Sequence, residues 1–229
     1  STLGEKREVE YSFAQGGDQY LTKPFRLEDL VGKLNQLQHL GAKIKAFDPV
    51  TRMAGPERME REISYRLLRE EAFALAHIVV EHLPAYRARR GPEAVDAVAR
   101  AAAEVIRSTL KTHGAFECFC SHLGGAHFLL MLRVDDAKKV CRALPEAFSE
   151  RLEAFYGAVE LAQGYQVASV KKGIYSGHAL MELRVCLTHT GRHAYATAHD
   201  MVQDLRRLHQ HAAKEDDEIV FSYKQGKKW

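Results

Sequence analysis

The segment Phe116 to Leu132 constrains the fold of this chain more than any other. Two alternating apolar runs, Phe116 to Leu123 and Phe128 to Leu132, flank the pair Gly124-Gly125. That pattern predicts a β-hairpin with a tight turn, because such turns need residues that accept positive φ and glycine does so at no steric cost. Taken alone the hairpin is a common motif and carries no function.

The flanking sequence predicts what the hairpin packs with. Gly55-Pro56 opens a helix, with Pro56 suited to a first turn, and Met59, Ile63, Leu67 and Leu68 give that helix one apolar face. Phe73 to Val80 is an apolar run of strand length and is the expected central strand. A short helix over Tyr86 to Arg90 ends at Gly91, and Val95, Val98, Ala102, Val105, Ile106 and Leu110 mark a long alanine-rich helix. After the hairpin a helix is expected from about Asp135 to Phe155. The runs Gln166 to Tyr175 and Ala179 to Leu187, joined at Ser176-Gly177, read as a second hairpin. A helix from about Thr197 to Ala213 and a strand from Glu218 to Tyr223 complete the chain. One helix followed by the order βααββαββαβ is an α+β arrangement.

Composition narrows the class. Net charge is +3 with the twelve histidines neutral, too mild to argue for nucleic acid. No apolar run approaches the roughly 18 residues of a membrane span, and the first residues, with Glu5, Lys6, Arg7 and Glu8, show no signal-peptide core. The four cysteines, at 118, 120, 141 and 186, have neither a disulfide framework nor C-x-x-C spacing. The expectation is a cytoplasmic protein without a membrane partner or a cofactor.

The hairpin, read in this context, resembles the signature of GGDEF domains, the diguanylate cyclases. Gly124-Gly125-Ala126-His127-Phe128 stands where that family reads Gly-Gly-Asp/Glu-Glu-Phe. Asp48-Pro49-Val50-Thr51-Arg52-Met53 resembles the Asp-x-Leu-Thr-Gly-Leu that opens such domains, with Arg52 and Met53 as departures. The resemblance covers about Asp48 to Tyr223. It implies a palm-like nucleotide-cyclase fold with a central, mostly antiparallel five-stranded sheet flanked by helices, in a bacterial cyclic di-GMP signalling protein.

The resemblance also says where the chemistry should be. A diguanylate cyclase positions two GTP molecules with divalent metal, and Mg²⁺ asks for hard oxygen ligands. Counting back from Gly91, the family's first metal aspartate falls on Val79, and the acidic pair of the signature falls on Ala126 and His127. Glu81 is the carboxylate left nearby, so no metal site is expected. The phosphate-cradling loop corresponds to Glu81-His82-Leu83-Pro84, where Pro84 has no N–H to give. The guanine-reading Asn and Asp correspond to Arg87 and Asp96, and Arg offers donors only. Arg206 or Arg207 would supply a basic contact from the last helix. Glu81, His82, Arg87, Asp96 and Arg207 are thus the candidate ligand-binding residues. The inhibitory Arg-x-x-Asp of the family falls on Ala115 and Cys118, which cannot clamp cyclic di-GMP.

Upstream, a helix over Glu5 to Gln15 and the stretch Asp18 to Phe25 with Lys23-Pro24 resemble the last third of a response-regulator receiver domain. On that resemblance Ser1 is the residue that senses the phosphoryl group and Lys23 the lysine that pairs with the phosphorylated aspartate. That aspartate would lie outside this chain, so residues 1–40 are read as a receiver remnant, 41–47 as a linker and 48–229 as a degenerate GGDEF domain. Leu27, Leu30, Leu34, Leu37 and Ile44 follow a 3-4 spacing. Leu27 and Leu30 are expected to pack on the receiver sheet. From Leu34 onward a short stalk is expected, able to form a weak homodimer through the Leu27–Ile44 helix.

Other clusters carry less. Cys118, Cys120 and His122 alternate along one strand face, but they span about 13 Å, too far for one tetrahedral ion. Arg87, Arg89, Arg90, Arg100, Arg107, Lys171-Lys172 and Lys224 to Lys228 read as solvated charge. His193, His199, His209 and His211 gather near the last helix without a Ser or Cys nucleophile. The sequence reading is therefore a signalling protein of response-regulator type whose output domain is catalytically silent and works through a protein partner or a bound nucleotide. The alternative is an enzyme with residual or altered nucleotidyl activity, built on Glu81, Asp96 and an arginine of the last helix.

Overall fold

The computed structural model describes residues 25–33, 47–171, 174–215 and 219–221. The readings placed on Ser1, Lys23, Leu34, Leu37 and Ile44 lie outside the described residues. Residues 27–33 are helical, and Leu27, expected to pack on a receiver sheet, is exposed, with no described residue covering it.

Helix α1 (Pro56–Leu68) starts at Gly55 with proline in its first turn and Glu57 beside it, both favourable at a helix N-terminus. It buries Met59 and Ile63, whereas Leu68, assigned to the same face, points to solvent. Strand β1 (Ala74–Glu81) is buried along nearly its whole length, as a strand covered on both faces must be. Helices α2 (Leu83–Arg90) and α3 (Glu93–Thr112) follow, then β2 (Phe119–Gly124) and β3 (His127–Leu132). Helix α4 (Val134–Ser149) stops six residues before the predicted Phe155. A single 3₁₀ turn, Leu152–Ala154, instead swings Phe155 and Tyr156 back onto Tyr86, with ring centroids 5.9 and 5.4 Å away. The Tyr156 hydroxyl then accepts the Met181 N–H at 3.0 Å. Aromatic burial overrides helical continuation there.

Beyond α5 (Ala158–Gln163) the second predicted hairpin proves to be three strands, β4 (Tyr165–Lys171), β5 (Ile174–Ala179) and β6 (Glu182–His189). Ser176-Gly177, read as a turn, lies inside β5. Gly177 pairs with Val167 there, and a Cβ on it would touch the Tyr165 ring at an ordinary contact distance of 3.4 Å. Strands β4 and β5 form a separate two-stranded sheet. Helix α6 (Ala198–Glu215) and β7 (Ile219–Phe221) end the described chain. The main sheet runs β2-β3-β1-β6-β7, antiparallel except for the β6–β7 pair, which is the predicted five-stranded α+β architecture.

Side chains alternate between the two faces of this sheet. Ala74, Ala76, Ile78 and Val80 of β1, with Phe128, Leu130 and Leu132 of β3, face α3 and α4. Alanines 99, 102 and 103 let α3 lie close against them. Phe73, Leu75, Leu129, Met131 and Cys186 face the other way, toward Met59 and Ile63 of α1 and Met201 and Leu205 of α6.

Candidate functional site

The hairpin differs in one respect from its sequence pattern. His122 pairs with Phe128 but Gly124 pairs with His127, so Leu123 is an extra residue in β2 and the ladder bulges. The insertion moves the turn one place along, onto Gly125-Ala126. Gly124 and Gly125 both take positive φ, 102° and 60°, so glycine is required at the bulge and at the turn. Ala126 is thereby turned into the core, 1% exposed, and its carbonyl accepts the Val80 N–H at 3.1 Å.

Register across the sheet then fixes what meets what on the α6 face. Leu129, His77 and Cys186 form one row, His127, Val79 and Arg184 the next, and Glu81 stands opposite Glu182. Two carboxylates directly across a ladder repel. Arg184, almost fully buried, resolves this by placing Nη1 3.3 Å from Glu81 Oε1 and Nη2 3.0 Å from Glu182 Oε1. His209 descends from α6 and puts Nε2 3.4 Å from the same Glu81 oxygen. The His77 ring stacks on His127 at 5.6 Å and meets His209 edge-on at 5.5 Å.

Electrostatics in this cluster disfavour further positive charge. Burial, followed by the charges of His209, His127 and Arg206, holds the His77 imidazole down to about 3. His127 is also lowered, by burial and by His209, against the pull of Glu81. Nδ1 of His77 and Nδ1 of His209 are buried, and neither finds a hydrogen-bond partner.

On the opposite face another buried histidine has the contrary surroundings. His122 Nε2 lies 3.0 Å from the Gly125 carbonyl, and Nδ1 makes an ion-pair contact of 3.0 Å, off the in-line hydrogen-bond direction, with Asp48 Oδ1. The same Asp48 oxygen accepts the N–H groups of Val50 (3.0 Å) and Thr51 (2.7 Å) and the Thr51 hydroxyl (3.0 Å). Burial raises the Asp48 carboxyl, but the Thr51 and His122 contacts outweigh it and leave the group below the usual range. His122, set beside Cys118 and Cys120 in sequence, is thus a bracket between the Asp48 turn and the hairpin.

The structure brings some of the predicted site residues together and leaves others apart. Glu81, His82 and His127 border the cluster, with His82 Nε2 3.8 Å from Glu182. His82 precedes α2 in a left-handed conformation and Pro84 occupies the helix's first turn, so the end of β1 presents few free N–H donors. Arg87, Asp96 and Arg207 are exposed on α2, α3 and α6, and none of them contacts the cluster among the described residues. Val79 is 2% exposed within its row. His77, Arg184 and the inward turn of His209 were missed by sequence reasoning. The available signal was two polar residues, His77 and Arg184, interrupting apolar strand runs at positions that β pairing brings to one face.

No protein-family model matches the sequence, and no curated protein matches it. Solved structures do. The GGDEF domain of DgcB from Caulobacter crescentus, in complex with c-di-GMP, superposes with a TM-score of 0.55 at 16% identity, covering 78% of this chain and 94% of that one. Diguanylate cyclase SiaD from Pseudomonas aeruginosa, in complex with its activator SiaC, gives 0.57 at 18% identity, covering 94% and 78%. The active GGEEF domain of a diguanylate cyclase from Vibrio cholerae gives 0.55 at 13% identity, covering 75% and 98%. Among the described residues no helix is long and apolar enough to cross a membrane. The hairpin, the sheet order and these superpositions agree: the chain has the α+β fold of GGDEF domains.

Proposed function

We propose that this chain is a signalling protein whose GGDEF-like domain, residues 48–229, makes no cyclic di-GMP and acts instead through protein contact or a bound nucleotide. Residues 1–40 are assigned to a receiver-type remnant and 41–47 to a linker. The observation that carries the reading is the burial of Val79 and Ala126, at 2% and 1% exposure, on the two positions that the GGDEF resemblance gives to metal carboxylates. An aliphatic side chain at each leaves no oxygen ligand, and phosphoryl transfer between two nucleotides depends on charge stabilisation of that kind. Glu81, the carboxylate nearest those positions, is already engaged by Arg184 and His209. Protein contact has a precedent on this fold, since SiaD was solved with its activator SiaC.

Incubation of the purified protein with GTP and Mg²⁺, followed by chromatographic detection of cyclic di-GMP, tests the reading. The expected result is no product above a control without protein. Sustained turnover would overturn it.

A further inference from the structure

The polar cluster on the α6 face has a property that loss of catalysis does not explain. Three imidazoles from three elements, His77 on β1, His127 on β3 and His209 on α6, meet within 5.6 Å ring to ring. Two of them bury a nitrogen without a partner, which sound interiors avoid. The rings of His77 and His127 lie nearly parallel, 18° apart, and do not converge on a point. Among the described residues no group of three His, Cys, Asp or Glu side chains is arranged to hold a metal ion.

We propose that this cluster is a proton-sensitive latch that holds α6 on the sheet near neutral pH and releases it in mild acid. The groups facing His77 explain the direction. Strand β1 contributes Glu81, β3 contributes His127, and β2 contributes His122 behind it. Strand β6 contributes Arg184 with Glu182, α6 contributes Arg206 and His209, and His82 stands at the end of β1. Glu81 and Glu182 are the carboxylates of this set, and both are bound to Arg184. A proton on His77 would therefore add a charge beside other cations, with no acceptor at Nδ1. When α6 lifts, His77 meets water and its ordinary affinity for protons returns. Acid therefore favours the open state.

Topology makes the release local. Helix α6 and β7 are consecutive, and β7 is the outer strand of the sheet, joined to β6 alone. Both can leave without unpairing any other strand. The surface uncovered would include Met201 and Leu205, together with Leu75 and Cys186 beneath them.

Hydrogen exchange followed by mass spectrometry, corrected for intrinsic rates, tests the latch on the full chain at pH 7 and pH 5. The proton His77 takes up on opening shifts the equilibrium tenfold per pH unit below about 6.5, and His127, also held low in the closed state, adds to the shift in the same direction. The amides of α6 should therefore open roughly 30-fold more at pH 5, while those of α3, on the other face, keep their protection. His77→Leu, which cannot take the proton, should remove most of the difference and leave the share that belongs to His127. Should His77→Leu fail to fold, His77→Gln keeps a polar side chain but takes no proton, and it should reduce the difference to the same extent. The latch is overturned if α6 opens equally at both pH values, if the acid response survives His77→Leu undiminished, or if α3 and α6 open together with the same pH dependence.

Discussion

Two of the sheet's buried histidines, one on each face, have opposite surroundings. His122, 5% exposed, sits on the α3/α4 face with acceptors at both ring nitrogens, the Asp48 carboxylate and the Gly125 carbonyl. His77, 9% exposed, sits on the α1/α6 face among His127, His209 and Arg206, with Nδ1 unpartnered. Both are imidazoles of similar burial, on strands separated by β3 alone. What differs is the neighbourhood: a carboxylate stands beside His122, whereas imidazoles and an arginine surround His77.

The surroundings of the two histidines differ as strongly. The core on the α3/α4 face is mostly aliphatic and aromatic, and it depends on packing. Phe148 of α4 is fully buried there. Phe148→Ala should cost about 4 kcal/mol through lost burial and the cavity left behind, read by urea denaturation. Because no charge is involved, the loss should be the same at pH 7 and pH 5. A loss that varied with pH would mean the two faces are not electrostatically separate.

On the α6 face the corresponding weak point is ionic. Arg184 keeps Glu81 and Glu182 from facing each other unscreened, and it is 3% exposed. Arg184→Ala should cost about 3 kcal/mol, the usual consequence of breaking a buried charge set by removing one member. Adding Glu81→Gln to that variant removes the repelling partner and should recover part of the loss. No recovery would show that Arg184 acts through its packing volume and not its charge.

The frame of this molecule was legible from periodicity, and its polar details were not. Phe73 to Val80 reads as a central strand because nearly every residue is apolar, and that same uniformity hid His77, which matters only through what β3 and α6 bring beside it. Gly177 reads as a turn because glycine usually marks one, yet here it lies mid-strand, paired with Val167 of β4. The turn of the signature hairpin was misplaced by one residue because a bulge at Leu123 leaves no mark in an alternating pattern. The helix predicted to Phe155 ends early because Tyr86, some seventy positions away, captures Phe155 and Tyr156. Each of these features depends on tertiary contacts between residues distant in sequence, and local spacing does not encode them. The residues singled out through the GGDEF resemblance divide in the same way. Glu81 and His127 belong to the cluster because strand register carries them there, whereas Arg87, Asp96 and Arg207 sit on exposed helix surface.

The smallest expected effect concerns the histidine beside Asp48. Asp48 joins the start of the domain to the hairpin by accepting from Val50, Thr51 and His122. Asp48→Ala leaves two backbone N–H groups and a buried imidazole to find water, a cost of about 2 kcal/mol at pH 7. The pH dependence has a definite sign. The carboxyl is held below its usual value in the folded chain, so its contribution is complete above the unfolded value of 3.8 and fades as the pH falls through the lower folded one. Between pH 7 and pH 5 the difference in stability between wild type and Asp48→Ala should therefore stay constant, and it should shrink only below about pH 4. The His77 response spans the range above that, so the Asp48 contacts and the α6 cluster separate on the pH axis. If the Asp48→Ala difference closed already by pH 5, the ion pair with His122 and the α6 latch would be parts of a single acid transition, and the contrast between the two faces would fail.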